Sequence, residues 1–365
     1  MIYPLLPVFL TVTLGAGAIS LGVVEGVAES TAAVLKVISG RWTDAVGRRT
    51  PFVFAGYGLA GFVRPLIGLA TGWPFVLAMR FLDRVGKGIR TAPRDALIAD
   101  VTPPEQRGTA FGYHRAMDHV GAILGPIVAA TLIGVYGMPI GDVFLLAFIP
   151  AALVMAVLIV GLREPERTTV APSPVLSRSG WWEMPPNMKR LYLAILVFAL
   201  GNSTDAFILL RLSDAGVQAP QLALLWSVHH VVKSVASAWG GSRSDRVGRK
   251  PIMVVGWIVY AVIYAGLGVA DSAPVTIALF IAYGVYFGLV APVERAWIAD
   301  LAPAHLRGTA IGYYHGVVGL AAFPASVLFG LIWQQLGPSA AFGTGAVLAI
   351  AASALLLGVR ESRVE

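Results

Sequence analysis

Hydrophobic runs and short polar breaks alternate along the whole chain. Apolar stretches fall near 1–13, 17–39, 51–70, 74–97, 109–136 and 142–162, and a second series near 190–211, 219–240, 251–270, 274–299, 309–335 and 340–359. Most match the roughly 20 residues with which an α-helix crosses about 30 Å of hydrocarbon. In lipid each backbone polar group must be satisfied inside its own segment, so runs of this length predict helices. Between the two series, Pro165, Pro172, Pro174, Pro185 and Pro186 stand among mixed charges and predict a linker. The expected division is a six-helix bundle over 1–163, a linker over 164–189 and a second six-helix bundle over 190–365.

Composition narrows the class. Apolar residues make up 57% of the 365 positions. Charged residues make up 13%, about half the share of a soluble domain. A water-soluble enzyme, a disordered chain and a collagen-like repeat all fail on these numbers. With no cysteine, disulfide frameworks, thiolate metal sites and thiol catalysis are excluded together. The net charge of +7 would suit nucleic acid only if it gathered on a soluble face. Instead the positives occupy alternate connections: Arg41, Arg48 and Arg49; Arg107; Arg163, Arg167, Arg178, Lys189 and Arg190; Arg243, Arg246, Arg249 and Lys250; Arg307; and Arg360 and Arg363. The intervening loops carry no Lys or Arg. This positive-inside pattern predicts a multi-pass protein of the plasma (bacterial inner) membrane with both termini cytoplasmic, surrounded by lipid bilayer and with no nucleic-acid partner.

The halves repeat each other. "LIADVTPPEQRGTAFGYH" around Asp100 meets "WIADLAPAHLRGTAIGYY" around Asp300 at an offset of about 200, and "GRWTDAVGRR" (40–49) meets "GSRSDRVGRK" (241–250). The second of these stretches resembles the signature loop of the major facilitator superfamily, Gly-x-x-x-Asp-Arg-x-Gly-Arg-Lys. Gly241, Asp245, Arg246, Gly248, Arg249 and Lys250 match it fully; Gly40, Asp44, Gly47, Arg48 and Arg49 match in the first copy, where Ala45 replaces an Arg. The resemblance covers essentially the whole chain. It implies an all-α polytopic fold of two pseudo-symmetric six-helix bundles working by alternating access.

Paired glycines permit a tight turn between closely packed helices. An Asp is stabilised at a helix N-terminus, and arginines form forked pairs with carboxylates. The family resemblance implies that such contacts latch a cytoplasmic gate, here Gly40, Asp44, Arg48, Arg49, Gly241, Asp245, Arg246 and Arg249. Arg94-Asp95 aligns with Glu294-Arg295, the same pair with reversed signs, which makes Arg94 and Glu294 further gate candidates. Simple topology-setting charge accounts for Arg41 and Arg243.

Charges inside the spans point to the transport path. Arg80, Asp83, Arg84, Lys87, Arg90 and Arg94 recur every three or four residues in the fourth span and fall within an arc of about 120°. That face cannot meet lipid. It requires a wet cavity or acidic partners. Of these, Arg80 is similar to the Arg that the family often carries there. Glu25, Glu29 and Lys36 in the second span, Asp118 and His119 in the fifth, Asn202 to Asp205 in the seventh, and His229, His230 and Lys233 in the eighth add acids, imidazoles and a cation. Such groups allow protonation to follow conformation; alternatively they pair with the cations of the fourth span and only hold the bundle together. Gly121-x-x-x-Gly125-Pro126 resembles the family's antiporter motif, whose final glycine pair is Ala129-Ala130 here. Spaced small residues permit close helix packing, and the proline bends the helix. Metal-ligand spacing and a Gly-rich Lys phosphate loop are both missing, so no metal, no cofactor and no ATP-driven pump are expected.

The sequence therefore predicts a secondary transporter, expected to act as a monomer on a small-molecule substrate with protons. Proton-coupled efflux of an anionic or zwitterionic solute is the leading reading. Uptake by symport, facilitated diffusion and a transporter-like sensor remain open, and no nucleophile–base pair favours an enzyme. The repeat adds one further expectation. The first span begins at Met1, whereas its counterpart has a full cytoplasmic half, so eleven full spans plus a shortened first helix are predicted, with the natural start upstream.

Overall fold

The computed structural model describes residues 5–6, 9–15, 18–164, 181–203, 205–217 and 219–361. The linker expected over 164–189 lies mostly outside the described residues, as does part of the first predicted span. Among the described residues the regular structure is entirely helical. A π-helical turn, Phe9–Thr13, precedes α1 (Ala18–Val46), α2 (Thr50–Val63), α3 (Trp73–Val101), α4 (Arg107–Gly134), α5 (Ile140–Leu145) and α6 (Phe148–Gly161). The second half supplies α7 (Pro186–Gly201), α8 (Ala206–Asp214), α9 (Ala219–Val247), α10 (Arg249–Val269), α11 (Ala273–Leu301), α12 (Arg307–Leu336) and α13 (Pro338–Leu357).

The repeat is visible in these boundaries. α1 and α9 are each 29 residues, as are α3 and α11. A single 3₁₀ turn, Pro104–Gln106 or Ala304–Leu306, leads into α4 or α12. Seven helical segments among the described residues are long and apolar enough to cross a membrane. α3 is also long enough, but Arg80, Asp83, Arg84, Lys87, Arg90, Arg94 and Asp95 are too many charges for it to pass on hydropathy. Lipid therefore cannot be its environment all round.

Beyond the first, three predicted spans are not continuous α-helices among the described residues. The third runs as α2 and then tightens into a 3₁₀ segment at Pro65–Leu69, because Pro65 has no N–H to continue the ladder. The sixth divides into α5 and α6 at Leu146 and Ala147. The seventh stops at Gly201 and resumes at Ala206. The interruption falls on the polar run Asn202–Asp205, where short polar side chains compete for backbone hydrogen bonds. Tyr260 donates its hydroxyl proton to the freed Gly201 carbonyl at 2.8 Å.

The chain forms two compact units. The first comprises Met1–Val101, Ala122–Trp182 and Pro303–Gly316; the second comprises Thr102–Gly121, Glu183–Ala302 and Val317–Glu365. Each unit thus holds the start of one long helix, α12 or α4, from the opposite half of the sequence. In the first, α3 packs on both α1 and α2, and Leu6, Phe9, Leu10, Val24, Ile67, Val76 and Phe144 form a buried cluster. In the second, α11 packs on α9 and α10, and α13 on α10 and α7. Its interior is aromatic: Phe198 stacks on Trp257 at 4.7 Å and Tyr260 on Tyr264 at 4.0 Å.

Glycine permits the closest approaches. A Cβ on Gly40 would fall on the Gly308 carbonyl, and one on Gly241 on that of Gly108. At Gly121, by contrast, a Cβ would meet nothing within 4 Å, so this glycine of the antiporter-like motif is not at a close helix contact. Gly40→Ala and Gly241→Ala are therefore expected to destabilise the protein by about 1–3 kcal/mol through overpacking. Gly121→Ala is expected to be neutral or to stabilise by up to about 1 kcal/mol. Thermal unfolding of the three variants in detergent checks this order.

Candidate functional site

The signature loops end on helix N-termini. In the first unit, the Asp44 carboxylate at the last turn of α1 accepts the free N–H groups of Gly308 (3.1 Å) and Thr309 (2.5 Å), which open α12. These amides have no intrahelical acceptor and carry the positive end of the helix dipole. Arg49, wholly buried, bridges two acids: Nη1 lies 3.1 Å from Asp44 and Nε 2.5 Å from Asp100. Arg307 also binds Asp100. The Glu164 carboxylate accepts the Arg49 and Thr50 backbone N–H groups, each at 2.8 Å, at the start of α2. Burial pushes the Asp44 carboxyl above its ordinary value, although Arg49 and the two amides act the other way. Burial alone would also raise Asp100, but Arg49 and Arg307 together hold it below its ordinary value.

The second unit repeats the arrangement atom for atom. Asp245 accepts the N–H groups of Gly108 (2.8 Å) and Thr109 (2.7 Å) and the Thr109 hydroxyl (2.6 Å). Arg249 bridges Asp245 (2.5 Å) and Asp300 (3.0 Å), and Arg107 completes the set at 2.8 Å from Asp300. Arg249 also donates to the Pro104 carbonyl at 3.0 Å. A side chain on Gly308 or Gly108 would stand where these groups meet. Among the gate candidates, Asp44 meets Arg49 in the first unit and Asp245 meets Arg249 in the second, whereas Arg48 and Arg246 are exposed. In the sequence Asp100, Asp300 and the two threonines mark only the duplication, while Arg107 and Arg307 mark the duplication and the positive-inside charge. Their recurrence at a fixed offset, beside the signature loops, was the signal that they belong to the site.

The charged face of α3 lies in the first unit. Asp83, 1% exposed, receives Arg64 through Nε (3.0 Å) and Nη2 (2.6 Å), and Arg80 at 3.4 Å. Arg84 reaches Glu29 at 3.2 Å. Arg90 lies 3.8 Å over the Tyr57 ring, a cation–π contact. Lys87 shares this face, half-buried. Among the described side chains here, cations outnumber acids; the Glu25 side chain lies outside the described residues. Arg64 and Tyr57 were missed from sequence, since each looks like an ordinary span residue. Arg94 forks onto its own neighbour Asp95. Glu294 is buried in the second unit.

A separate cluster in the second unit surrounds the break between α7 and α8. Lys233, 4% exposed, lies 3.5 Å from Asp205 and 4.2 Å over the Phe287 ring. Tyr283 donates to Asp205 at 3.0 Å, and Asn202 donates to Tyr286 at 3.2 Å. His229 is stacked between Phe280 and Tyr283. The Nδ1 atoms of His229 and His230 lie 3.0 Å from the Phe280 and Trp226 carbonyls. Carbonyls only accept, so Nδ1 carries the proton and Nε2 is left as a lone-pair acceptor in the neutral ring. His119 joins them, its ring 5.5 Å from that of His230. Asp118 does not; it turns to Arg115 at 3.3 Å. Among the described residues no group of three or more His, Asp or Glu gathers at metal-binding distance.

Comparison with known proteins agrees with this architecture. The Major Facilitator Superfamily profile matches residues 1–210 and 191–365. An uncharacterized MFS-type transporter of Methanocaldococcus jannaschii is 32% identical over 98% of this chain and 90% of its own length. The quinolone resistance protein NorA of Staphylococcus aureus is 27% identical over 35% of this chain and 33% of its own. Among solved structures, a human organic anion transporter aligns with a TM-score of 0.77 at 17% identity, over 92% of this chain and 83% of that one. The proton:xylose symporter XylE aligns with a TM-score of 0.74 at 17% identity, over 94% and 87%. The all-helical fold expected from the sequence is therefore the fold of these transporters. The chain belongs to the Major Facilitator Superfamily and is an integral, multi-pass membrane transporter.

Proposed function

We propose that the protein is a secondary active transporter that works by alternating access and exports a small anionic or zwitterionic solute in exchange for protons. Both termini lie on the cytoplasmic side in this reading, where the Lys and Arg residues of the connections are concentrated. The observation that carries it is the duplicated clamp. Asp44 and Asp245 each hold the first amides of a helix from the other half of the sequence, α12 or α4. Such a contact exists in one conformation and must break in another, so it biases the equilibrium between them by the difference in its strength. The similarity to a quinolone resistance protein supports export. The cation-rich face of α3 supports an anionic or zwitterionic solute, because buried positive charge is costly until something negative meets it.

Proteoliposomes loaded with candidate organic anions and zwitterions provide the direct test. An imposed pH gradient is expected to drive movement of at least one; indifference to a gradient of either sign removes proton coupling. Asp44→Asn and Asp245→Asn each leave a buried Arg short of a partner and are expected to reduce transport about tenfold or more. The loss should be read together with thermal stability, and the double variant should lose no more than about twice the single loss in free energy if the clamps act separately. Lys87→Met is expected to shift selectivity between anionic and zwitterionic solutes, measured as a ratio of uptake rates. An unchanged ratio would sink the role given to the α3 cations.

A further inference from the structure

Outside both clamps, α3 and α12 are tied by a pair that none of the foregoing reasoning uses. Asp95 is fully buried and its two oxygens serve different groups. Arg94 holds Oδ1 through Nε (3.0 Å) and Nη2 (2.7 Å), and His315 Nε2 stands 3.1 Å from Oδ2. A carboxylate held by an arginine is ionised and can only accept, so Nε2 keeps its hydrogen in either state of the ring. Nδ1 is then the atom that gains or loses a proton. Charged groups among the described residues of the same elements include Arg90, Arg94 and Asp100 on α3, Arg307 on α12, and Asp44 and Lys36 on α1, the Lys36 carbonyl facing Gly312 one turn back along α12. The Tyr314 ring lies 5.0 Å from the imidazole.

Position and repeat both single the pair out. His315, 7% exposed, is followed by Gly316, the last residue of the 303–316 segment that belongs to the first unit. It is therefore the last residue of that segment with a side chain. At the repeat offset, Asp95 corresponds to Arg295 and His315 to Arg115. Neither arginine can exchange a proton near neutral pH. The clamps are duplicated, but this pair is not: one unit carries a titratable carboxylate–imidazole where the other carries two permanent cations.

We propose that His315, oriented by Asp95, is the binding site of the coupling proton. The inference rests on the proton-coupled reading above and names where the proton sits. A proton taken from water by Nδ1 turns the hydrogen bond between a neutral ring and the carboxylate into an ion pair, which strengthens it and holds the start of α12 in the first unit. Its departure weakens the hold and favours release of the segment together with the Asp44 clamp.

The absence of native cysteine allows a single reporter. Ile311→Cys places a thiol on the same segment at a site that is 0% exposed, and Tyr136→Cys, at a 72% exposed site, provides a control for thiol ionisation. Maleimide labelling of Cys-bearing protein in nanodiscs is measured from about pH 6 to pH 8.5, spanning imidazole titration, and normalised to the control. Normalised labelling of the Ile311→Cys protein is expected to slow by about fivefold or more as pH falls, as one proton binds. Adding His315→Gln, which keeps a donor toward Asp95 but takes no proton, should flatten the profile. Adding His315→Arg, the residue type of the other repeat, should keep labelling slow at every pH. An unchanged pH profile in His315→Gln overturns the proposal, and so does the absence of labelling at all pH values. If the labelling behaves as described but a pH gradient drives no solute, the transport reading fails while the proton site stands. If transport remains gradient-driven in His315→Gln, the site fails and the transport reading stands.

Discussion

The first backbone N–H groups of a helix have no acceptor within it, and wherever such an end is buried something must supply one. In this protein α4 and α12 begin in buried surroundings with Arg-Gly-Thr, and the acceptor in each case is the Asp of a signature loop. Much else follows from that need. Glycine must precede the threonine because a guanidinium stands where a side chain would be, together with the Asp44 carboxylate at Gly308 and the Ser244 hydroxyl at Gly108. Arginine must follow the Asp by four or five residues because a buried carboxylate needs a cation that can also reach a second acid. The second acid, Asp100 or Asp300, is held by the Arg that opens the capped helix. The result is a closed circuit of two acids, two arginines and two amides, built twice.

Such circuits bear on transport because they are strong only when complete. In a low-dielectric setting the loss of one member leaves its partner buried and uncompensated, which costs more than the intact pair contributes. A structure of this kind does not loosen gradually; it is either made or released. That property suits a protein that must occupy a few discrete conformations, with the solute and the proton deciding among them.

Symmetry of the clamps throws the differences between the units into relief. The first unit carries cations along α3, answered by Asp83 and Glu29. The second carries an aromatic, imidazole-rich group around Asp205 and Lys233, at a break between helices. Duplicated positions in one fold have thus acquired unlike chemistry, and the Asp95–His315 pair, matched by two arginines, is a further instance.

The sequence by itself determined the membrane class, the helical fold and the twofold repeat. These depend on hydropathy and spacing, which are local properties of the chain. It also pointed to Asp44, Arg49, Asp245 and Arg249 through a short contiguous motif. What only the tertiary structure decided is which charges meet. Arg64 joins Asp83, Asp118 turns away from His119, and His315 finds Asp95 at a separation of 220 residues. No periodicity encodes those pairings, because they depend on helix rotation and on which segment lies alongside. The helix breaks at Pro65 and at Asn202 to Asp205 were likewise hidden within apolar runs. Hydropathy averages over a window, whereas a break is made by one missing N–H or a few competing polar side chains.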